Sequence, residues 1–169
     1  MTDKSKKLFF AATIILPIVL YCVYYYGMMI KNAPYLFSDL QSIRFEYGLG
    51  DSLVNKYDSK TGAYQYVTRS GNLKKVNMRL TKDDMLYLHR KAADLGFWNF
   101  PAVEEGDTYQ GKKPKSPKYL MEFVYKKKSK KVLFDQAYNG DVNLKDANLR
   151  LIKEIQTILD EREKHLAQQ

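Results

Sequence analysis

The sequence predicts an α+β protein: an N-terminal transmembrane helix followed by a small antiparallel β-sheet domain with two helices packed on one face, in ββα-ββα order. Three features support this. An uncharged apolar run extends from Leu8 to Ile30, several later segments alternate apolar and polar residues, and two longer segments repeat apolar residues at helical spacing. The expected divisions are a basic cytoplasmic tail, a transmembrane helix, a linker and the α+β domain, at residues 1–7, 8–30, 31–41 and 42–169.

The apolar run has the length and composition of a membrane span. At about 1.5 Å per residue, a helix of this length covers the roughly 30 Å of a bilayer's hydrocarbon core. A proline inside the run is tolerated in a membrane helix, and tyrosines near its C-terminal end suit the headgroup region. The residues of this predicted anchor that we single out are Leu8, Pro17, Tyr21, Tyr24, Tyr25, Tyr26 and Ile30.

The charges beside the run predict its orientation. Three lysines precede it within residues 1–7, and only Lys31 follows closely. Because lysine-rich flanks stay in the cytoplasm, we expect the domain on the extracytoplasmic side. An uncleaved signal-anchor is the favoured interpretation. A cleaved signal peptide, which would need small residues near the end of the run, and lipidation at Cys22, which the bulky Tyr21 disfavours, remain the alternatives.

Net charge and cysteine content limit the function classes. The formal charge of +9 favours polyanionic partners such as nucleic acid, anionic lipid or acidic cell-surface polymers. Solubility by itself is the alternative explanation of this charge. Cys22 is the only cysteine and lies inside the apolar run. The domain therefore has no disulfide and no catalytic thiolate.

The first part of the domain predicts strands joined by a hairpin. Apolar residues occupy every second position from 43 to 49, and the alternation recurs over 64–66 and 76–80. Between the last two segments, residues 69–72 form a predicted turn in which Gly71 supplies a positive φ.

A helix is predicted over residues 81–95. Thr81 and Asp84 have the spacing of a capping box, and Gly96 is placed to be a left-handed cap at the other end. The aromatic segment 97–100 then predicts a core contribution rather than a ligand site, because bulky aromatic side chains dominate core packing.

The second part of the domain predicts a loop, a hairpin and a final helix. Residues 102–118 contain glycine and proline without periodicity, which is typical of a long loop. A strand over 119–125 leads to a hairpin tip at 126–131. The last helix is expected over about 144–167, with a capping box that begins at Asn143.

The sequence predicts no catalytic, cofactor-binding or metal-binding residues. His89 and His165 do not have the spacing of a metal pair, and His89 is expected to face solvent or to be hydrogen-bonded within the fold. The acidic residues at 104, 105 and 107 lack the alternating ligands of a calcium loop. The chain is therefore expected not to be an enzyme. An unrecognised active site with the 102–118 loop as its lid is the alternative.

One surface feature is singled out as a possible contact for an anion or a partner. Between residues 112 and 131 there are nine lysines and a single acid, Glu122. They are expected to share a basic patch on the loop and the hairpin tip, although lysines at hairpin ends also simply prevent aggregation. The lysines are Lys112, Lys113, Lys115, Lys118, Lys126, Lys127, Lys128, Lys130 and Lys131.

The preferred function is that of a single-pass cell-envelope protein whose extracytoplasmic domain is a binding or accessory module without catalysis. The expected partners are the lipid bilayer and either an acidic envelope protein or an anionic lipid surface. Nucleic acid is not expected, and no oligomeric state is predicted. The alternative is a membrane-tethered polyanion binder that faces the cytoplasm and uses the Lys112–Lys131 region.

Overall fold

The structure, a computed structural model, describes residues 3–31, 35–107 and 115–168, without the side chains of 7, 8 and 27–31. The chain divides into two compact units, Met1–Pro34 and Tyr35–Gln169. The helices are α1 (Asp3–Lys31), α2 (Lys82–Asp94) and α3 (Val142–Ala167), with short 3-10 turns at Phe37–Asp39 and Phe97–Asn99.

Helix α1 forms the first unit. Its segment Asp3–Tyr26 is long and apolar enough to cross a membrane, and the described side chains of that segment are exposed. Pro17 lies inside the helix without ending it. The structure therefore contains the apolar helix that the sequence predicts at this end of the chain.

In the part of the chain that the structure describes, seven strands form one mixed sheet. The strands are β1 (Leu40–Leu49), β2 (Ser52–Asp58), β3 (Ala63–Val67), β4 (Leu73–Asn77), β5 (Val103–Glu104), β6 (Pro117–Tyr125) and β7 (Ser129–Asp135). Their order across the sheet is β4-β3-β2-β1-β6-β7-β5. Neighbouring strands run antiparallel except β5 and β7, which are parallel.

The predicted ββα-ββα order is wrong, and the packing of two helices on one face that was predicted with it does not match either. Among the described residues, four strands precede α2 and three follow it. The sequence did not predict β2, in which only Tyr57 is buried, so the strand lacks a clear apolar alternation. It also did not predict β5, which lies in the expected 102–118 loop and makes the sheet mixed. Two residues are too few to carry a periodicity.

The core lies on one face of the two central strands. Ile43 and Phe45 of β1 stand opposite Phe123 and Met121 of β6, and all four side chains are fully buried. This follows from the strand period of two, which puts alternate residues on the same face. The helices and the aromatic segment complete the cluster with Leu88, Ala92, Phe97, Phe100, Leu151, Ile152, Ile155, Ile158 and Leu159. The core role predicted for residues 97–100 is confirmed for both phenylalanines.

The ends of α2 and the first hairpin turn are confirmed. The Asp84 amide donates to Thr81 Oγ1 at 3.2 Å, and the Thr81 amide donates to Asp84 Oδ2 at 2.8 Å, which completes the capping box. Gly96 has φ of 76° at the other end of the helix, and Gly71 has φ of 82° in the turn between β3 and β4. Glycine adopts these left-handed angles without the penalty that a Cβ would add.

Two predicted boundaries in the second part are wrong. The N-cap of α3 is Asp141, whose carboxylate accepts from the amides of Asn143 and Leu144, so the helix starts earlier than the expected Asn143 cap allows. The β6–β7 hairpin tip is also shorter than the predicted 126–131, because β7 already begins at Ser129. Lys130 and Lys131 are therefore strand residues.

Candidate functional site

The anchor residues occupy exposed positions along α1. Pro17, Tyr21, Tyr24, Tyr25 and Tyr26 are all exposed, and the rings of Tyr21 and Tyr25 stack with centroids 6.1 Å apart. The side chains of Leu8 and Ile30 lie outside the described residues. The aromatic side chains thus form a cluster towards the C-terminal end of the helix, as expected from their positions in the sequence.

The lysines between 112 and 131 do not form one patch in the described part of the chain. Lys115 precedes the start of β6, where the Gly50 amide donates to the Ser116 carbonyl at 2.8 Å, whereas Lys126 follows its end. A strand of this length extends about 27 Å at roughly 3.4 Å per residue. Lys112 and Lys113 lie outside the described residues.

Lys118 belongs to the interior rather than to a binding surface. Its side chain is 5% exposed, and its Nζ donates to Asp51 Oδ1 at 2.6 Å and to Glu105 Oε1 at 3.2 Å. The hydrogen bond to Asp51 raises the pKa of Lys118, and the bond to Glu105 adds to it. This lysine holds the β1–β2 turn and the segment after β5 to the start of β6.

Lys130 is also directed into the fold. It lies opposite the buried Phe123 in the β6–β7 register and donates to the main-chain carbonyl of Phe100. Burial lowers the pKa of Lys130, while the nearby Glu104 acts in the opposite direction. The strand period places this lysine on the core face, although its charge alone suggests a surface residue.

The hairpin tip and the first residues of the domain form one surface. Lys126 pairs with Asp39 at 3.1 Å, and its amide donates to the Asp39 carbonyl at 3.0 Å. Lys128 Nζ lies 3.8 Å from the ring centroid of Tyr35, in cation–π geometry. Lys127 is exposed between them. We call this set the hairpin-tip surface: Tyr35, Leu36, Lys126, Lys127 and Lys128.

An aromatic cluster packs against the hairpin-tip surface through the ring of Tyr35. The Tyr35 ring stacks on Trp98 with centroids 4.5 Å apart, and both rings contact Tyr125. His89 completes the cluster, with Nδ1 2.9 Å from the Tyr125 hydroxyl. Burial, followed by the charge of Arg90, lowers the pKa of His89. The histidine is therefore hydrogen-bonded within the fold, which is one of the two environments expected from the sequence.

The face of the sheet opposite the core carries a charge ladder that the sequence analysis missed. Arg44 lies 3.3 Å from both Asp58 and Glu122, and Lys56 lies 3.1 Å from Glu46. All of these side chains except Glu122 border an open groove of about 470 Å³. In the sequence, charged residues alternate with the apolar residues of β1, and this alternation could have indicated a charged face of the sheet. Which opposite charges pair across the strands depends on the strand register, which the sequence does not show. The groove has no dominant sign of charge.

Among the described residues, no group of three histidine, cysteine, aspartate or glutamate side chains is arranged to hold a metal ion. Comparison of the chain with protein-family models and with curated proteins finds no match.

Proposed function

We propose that the chain is a single-pass membrane protein that holds a non-catalytic α+β domain on the extracytoplasmic side, where the domain acts as a binding or accessory module. The observation that carries the proposal is α1, whose segment Asp3–Tyr26 is long and apolar enough to span a membrane and whose described side chains in that segment are exposed. Soluble proteins rarely leave so large an apolar surface in water, and a bilayer provides the solvent that such a helix needs.

The orientation in this proposal rests on the flanking charges. Lys4 and Lys6 are exposed at the start of α1, and the helix ends at Lys31. Lysine and arginine are enriched in the short segments that flank a membrane helix on its cytoplasmic side. The larger number of lysines on the N-terminal side favours a cytoplasmic N-terminus and a domain on the opposite side.

The hairpin-tip surface is the contact region that we propose, and an anionic lipid surface is its partner. Residues 32–34 join α1 to Tyr35, and three residues of any conformation span at most about 10 Å. A membrane that holds α1 is therefore within reach of the start of the domain. Lysines contribute about 1 kcal/mol each at an anionic surface, and tyrosine and tryptophan suit the headgroup layer.

A cysteine-labelling experiment tests the topology. Since Cys22 is the only cysteine, a Cys22→Ser background allows one new thiol at a time. Ser129→Cys places a thiol beside the hairpin tip, and Ser5→Cys places the matched control in the N-terminal tail. We expect a membrane-impermeant maleimide to label position 129 in intact cells and to label position 5 only after permeabilisation.

The reverse labelling pattern would overturn the orientation and support the cytoplasmic polyanion binder. Because a signal sequence has the same apolar character as a membrane anchor, the size of the mature protein is measured in the same cells. A product that retains the N-terminal tail in the membrane fraction supports the uncleaved anchor, and a shortened product contradicts it.

A further inference from the structure

A buried carboxyl and a buried amide face each other between β5 and α3. Glu104 of β5 is 1% exposed, and Asn148 of α3 is fully buried. Asn148 Nδ2 donates to Glu104 Oε2 at 2.7 Å and to the Leu144 carbonyl at 2.9 Å. Both hydrogens of the amide nitrogen therefore have acceptors.

The other two oxygen atoms of this pair have no partner. Among the described residues, Glu104 Oε1 and Asn148 Oδ1 are the buried side-chain atoms without a hydrogen bond. An ionised carboxylate and an amide oxygen are both acceptors, so neither can satisfy the other. A buried polar atom without a partner is costly, and a buried charge is more so.

A single proton on Glu104 resolves both deficits. A protonated carboxyl presents one O–H donor and one carbonyl acceptor, whereas the amide of Asn148 presents an N–H donor and a carbonyl acceptor. If Oε1 carries the proton, it donates to Asn148 Oδ1, while Oε2 keeps the bond that it already accepts. The two bonds close a ring, as in a carboxylic acid–amide dimer.

The charges around Glu104 do not replace this proton. The charge of Lys130 of β7 acts on Glu104, but the Lys130 ammonium donates its hydrogen bond to the Phe100 carbonyl. From α3, the residue in contact is the uncharged Asn148. Burial raises the pKa of Glu104 to about 7, against smaller opposite effects of the Asn148 bond and the Lys130 charge.

We propose that Glu104 is protonated in the folded domain below neutral pH and pairs with Asn148 through two hydrogen bonds, so that this proton holds the edge strand β5 to α3. Loss of the proton leaves a buried charge beside an unpaired amide oxygen. β5 then keeps its two-residue parallel pairing with β7. The next residue, Glu105, pairs with Lys118, so release of β5 also loosens the contact that joins this segment to β6. The inference does not depend on the membrane topology.

The sign of the pH dependence follows from the proton balance. Glu104 titrates near its ordinary value of 4.5 when unfolded and near 7 when folded. Between these values the folded state binds more protons, so its stability falls as the pH rises through this window and is constant above it. His89 acts in the opposite direction, because its lowered pKa makes stability rise with pH. The Glu104 contribution must therefore be isolated by substitution.

Glu104→Gln is the informative variant. Glutamine places an NH₂ donor where the protonated carboxyl has its O–H, and it keeps a carbonyl for Asn148 Nδ2. We expect the full-length wild type in detergent to lose about 200-fold in its folding equilibrium constant, relative to this variant, between pH 4 and pH 8 in urea titrations. Glu161→Gln, which changes an exposed acid on α3, is the matched control and should leave the pH dependence as in the wild type.

Two direct measurements on the wild type accompany the variant. Carbon-13 NMR should show the Glu104 carboxyl titrating near neutral pH, and amide exchange should report β5 through the Leu133 amide, which donates to the Ala102 carbonyl at 2.9 Å. At pH 8 we expect Leu133 to exchange faster in the wild type than in Glu104→Gln. Equal pH dependence in the two proteins, or a Glu104 carboxyl that titrates in the ordinary range of glutamate, would overturn the proposal.

Discussion

Lysine side chains that are identical in the sequence occupy three different environments in this domain. Lys118 is buried and paired with two carboxylates, Lys130 lies on the core face of β7, and Lys127 is exposed at the hairpin tip. The difference comes from strand direction and register, since the strand period alternates side chains between two faces. Position within a lysine-rich segment therefore does not predict which lysines can meet a partner.

Substitution of Lys118 and Lys127 should separate a structural lysine from a surface lysine. Lys118→Met keeps most of the buried stem but removes the ion pairs of Lys118 with Asp51 and Glu105. We expect a loss of about 1–3 kcal/mol in the free energy of unfolding, below the value for a fully buried pair because Asp51 is exposed. Lys127→Met should change it by less than about 0.5 kcal/mol. Similar effects in urea titrations would contradict the assignment.

The helices α2 and α3 each begin at a residue whose side chain accepts hydrogen bonds from the free backbone amides of the first turn. The sequence pattern predicted the capping box of α2 correctly because Thr81 and Asp84 both lie in the helix end itself. At α3 the predicted cap is wrong, because the Asp141 carboxylate accepts hydrogen bonds from the amides of Asn143 and Leu144. Arg162 of α3 also forms two bonds with Asp84 of α2, at 2.7 and 2.8 Å, so the two helices are joined at a cap.

The corrected start of α3 is testable with two alanine substitutions. Asp141→Ala removes the acceptor for two helix amides, and we expect it to lower the free energy of unfolding by about 1 kcal/mol. Asn143→Ala changes an exposed residue within the first turn and should cost less than about 0.5 kcal/mol. Thermal or urea denaturation of the two variants measures both values. A larger loss for Asn143→Ala would restore the cap expected from the sequence.

At the scale of the whole molecule, the proposed lipid contact predicts a salt-sensitive proximity. In the Cys22→Ser background, a fluorophore at Ser129→Cys reports the hairpin tip, and one at Ser52→Cys reports the β1–β2 turn at the other end of β1. In nanodiscs with anionic lipid we expect lipid-bound quenchers to act more strongly at position 129. High salt should weaken this difference, because it screens exposed charges.

Removal of one surface lysine measures how much that lysine contributes to docking of the domain on anionic lipid. Lys127→Gln should reduce the ratio of docked to undocked domain roughly fivefold, which corresponds to about 1 kcal/mol for one lysine at an anionic surface. Lys115→Gln, an exposed lysine at the opposite end of β6, is the matched control and should leave the quenching unchanged. Equal quenching at both labels, or quenching that is the same in neutral lipid, would contradict the proposed contact. A partner among acidic proteins would then be the remaining candidate.

The sequence by itself determined the features that depend on neighbours along the chain. An apolar N-terminal helix, an α+β domain, the alternation of β1 and β6, the Gly71 turn and both ends of α2 all follow from local periodicity and local hydrogen bonds. The sequence could not place β2 or β5, because neither strand shows an apolar alternation. In β2 only Tyr57 is buried, and β5 has only two residues.

Only the tertiary structure decided which charged residues act together. The pairing of Arg44 with Asp58 and Glu122, the burial of Lys118 and the contact of Glu104 with Asn148 join residues from different elements. The physical reason is that strand pairing and helix docking set these distances, whereas sequence separation does not. Burial in those contacts then changes the protonation of groups such as Glu104, which composition and spacing leave undetermined.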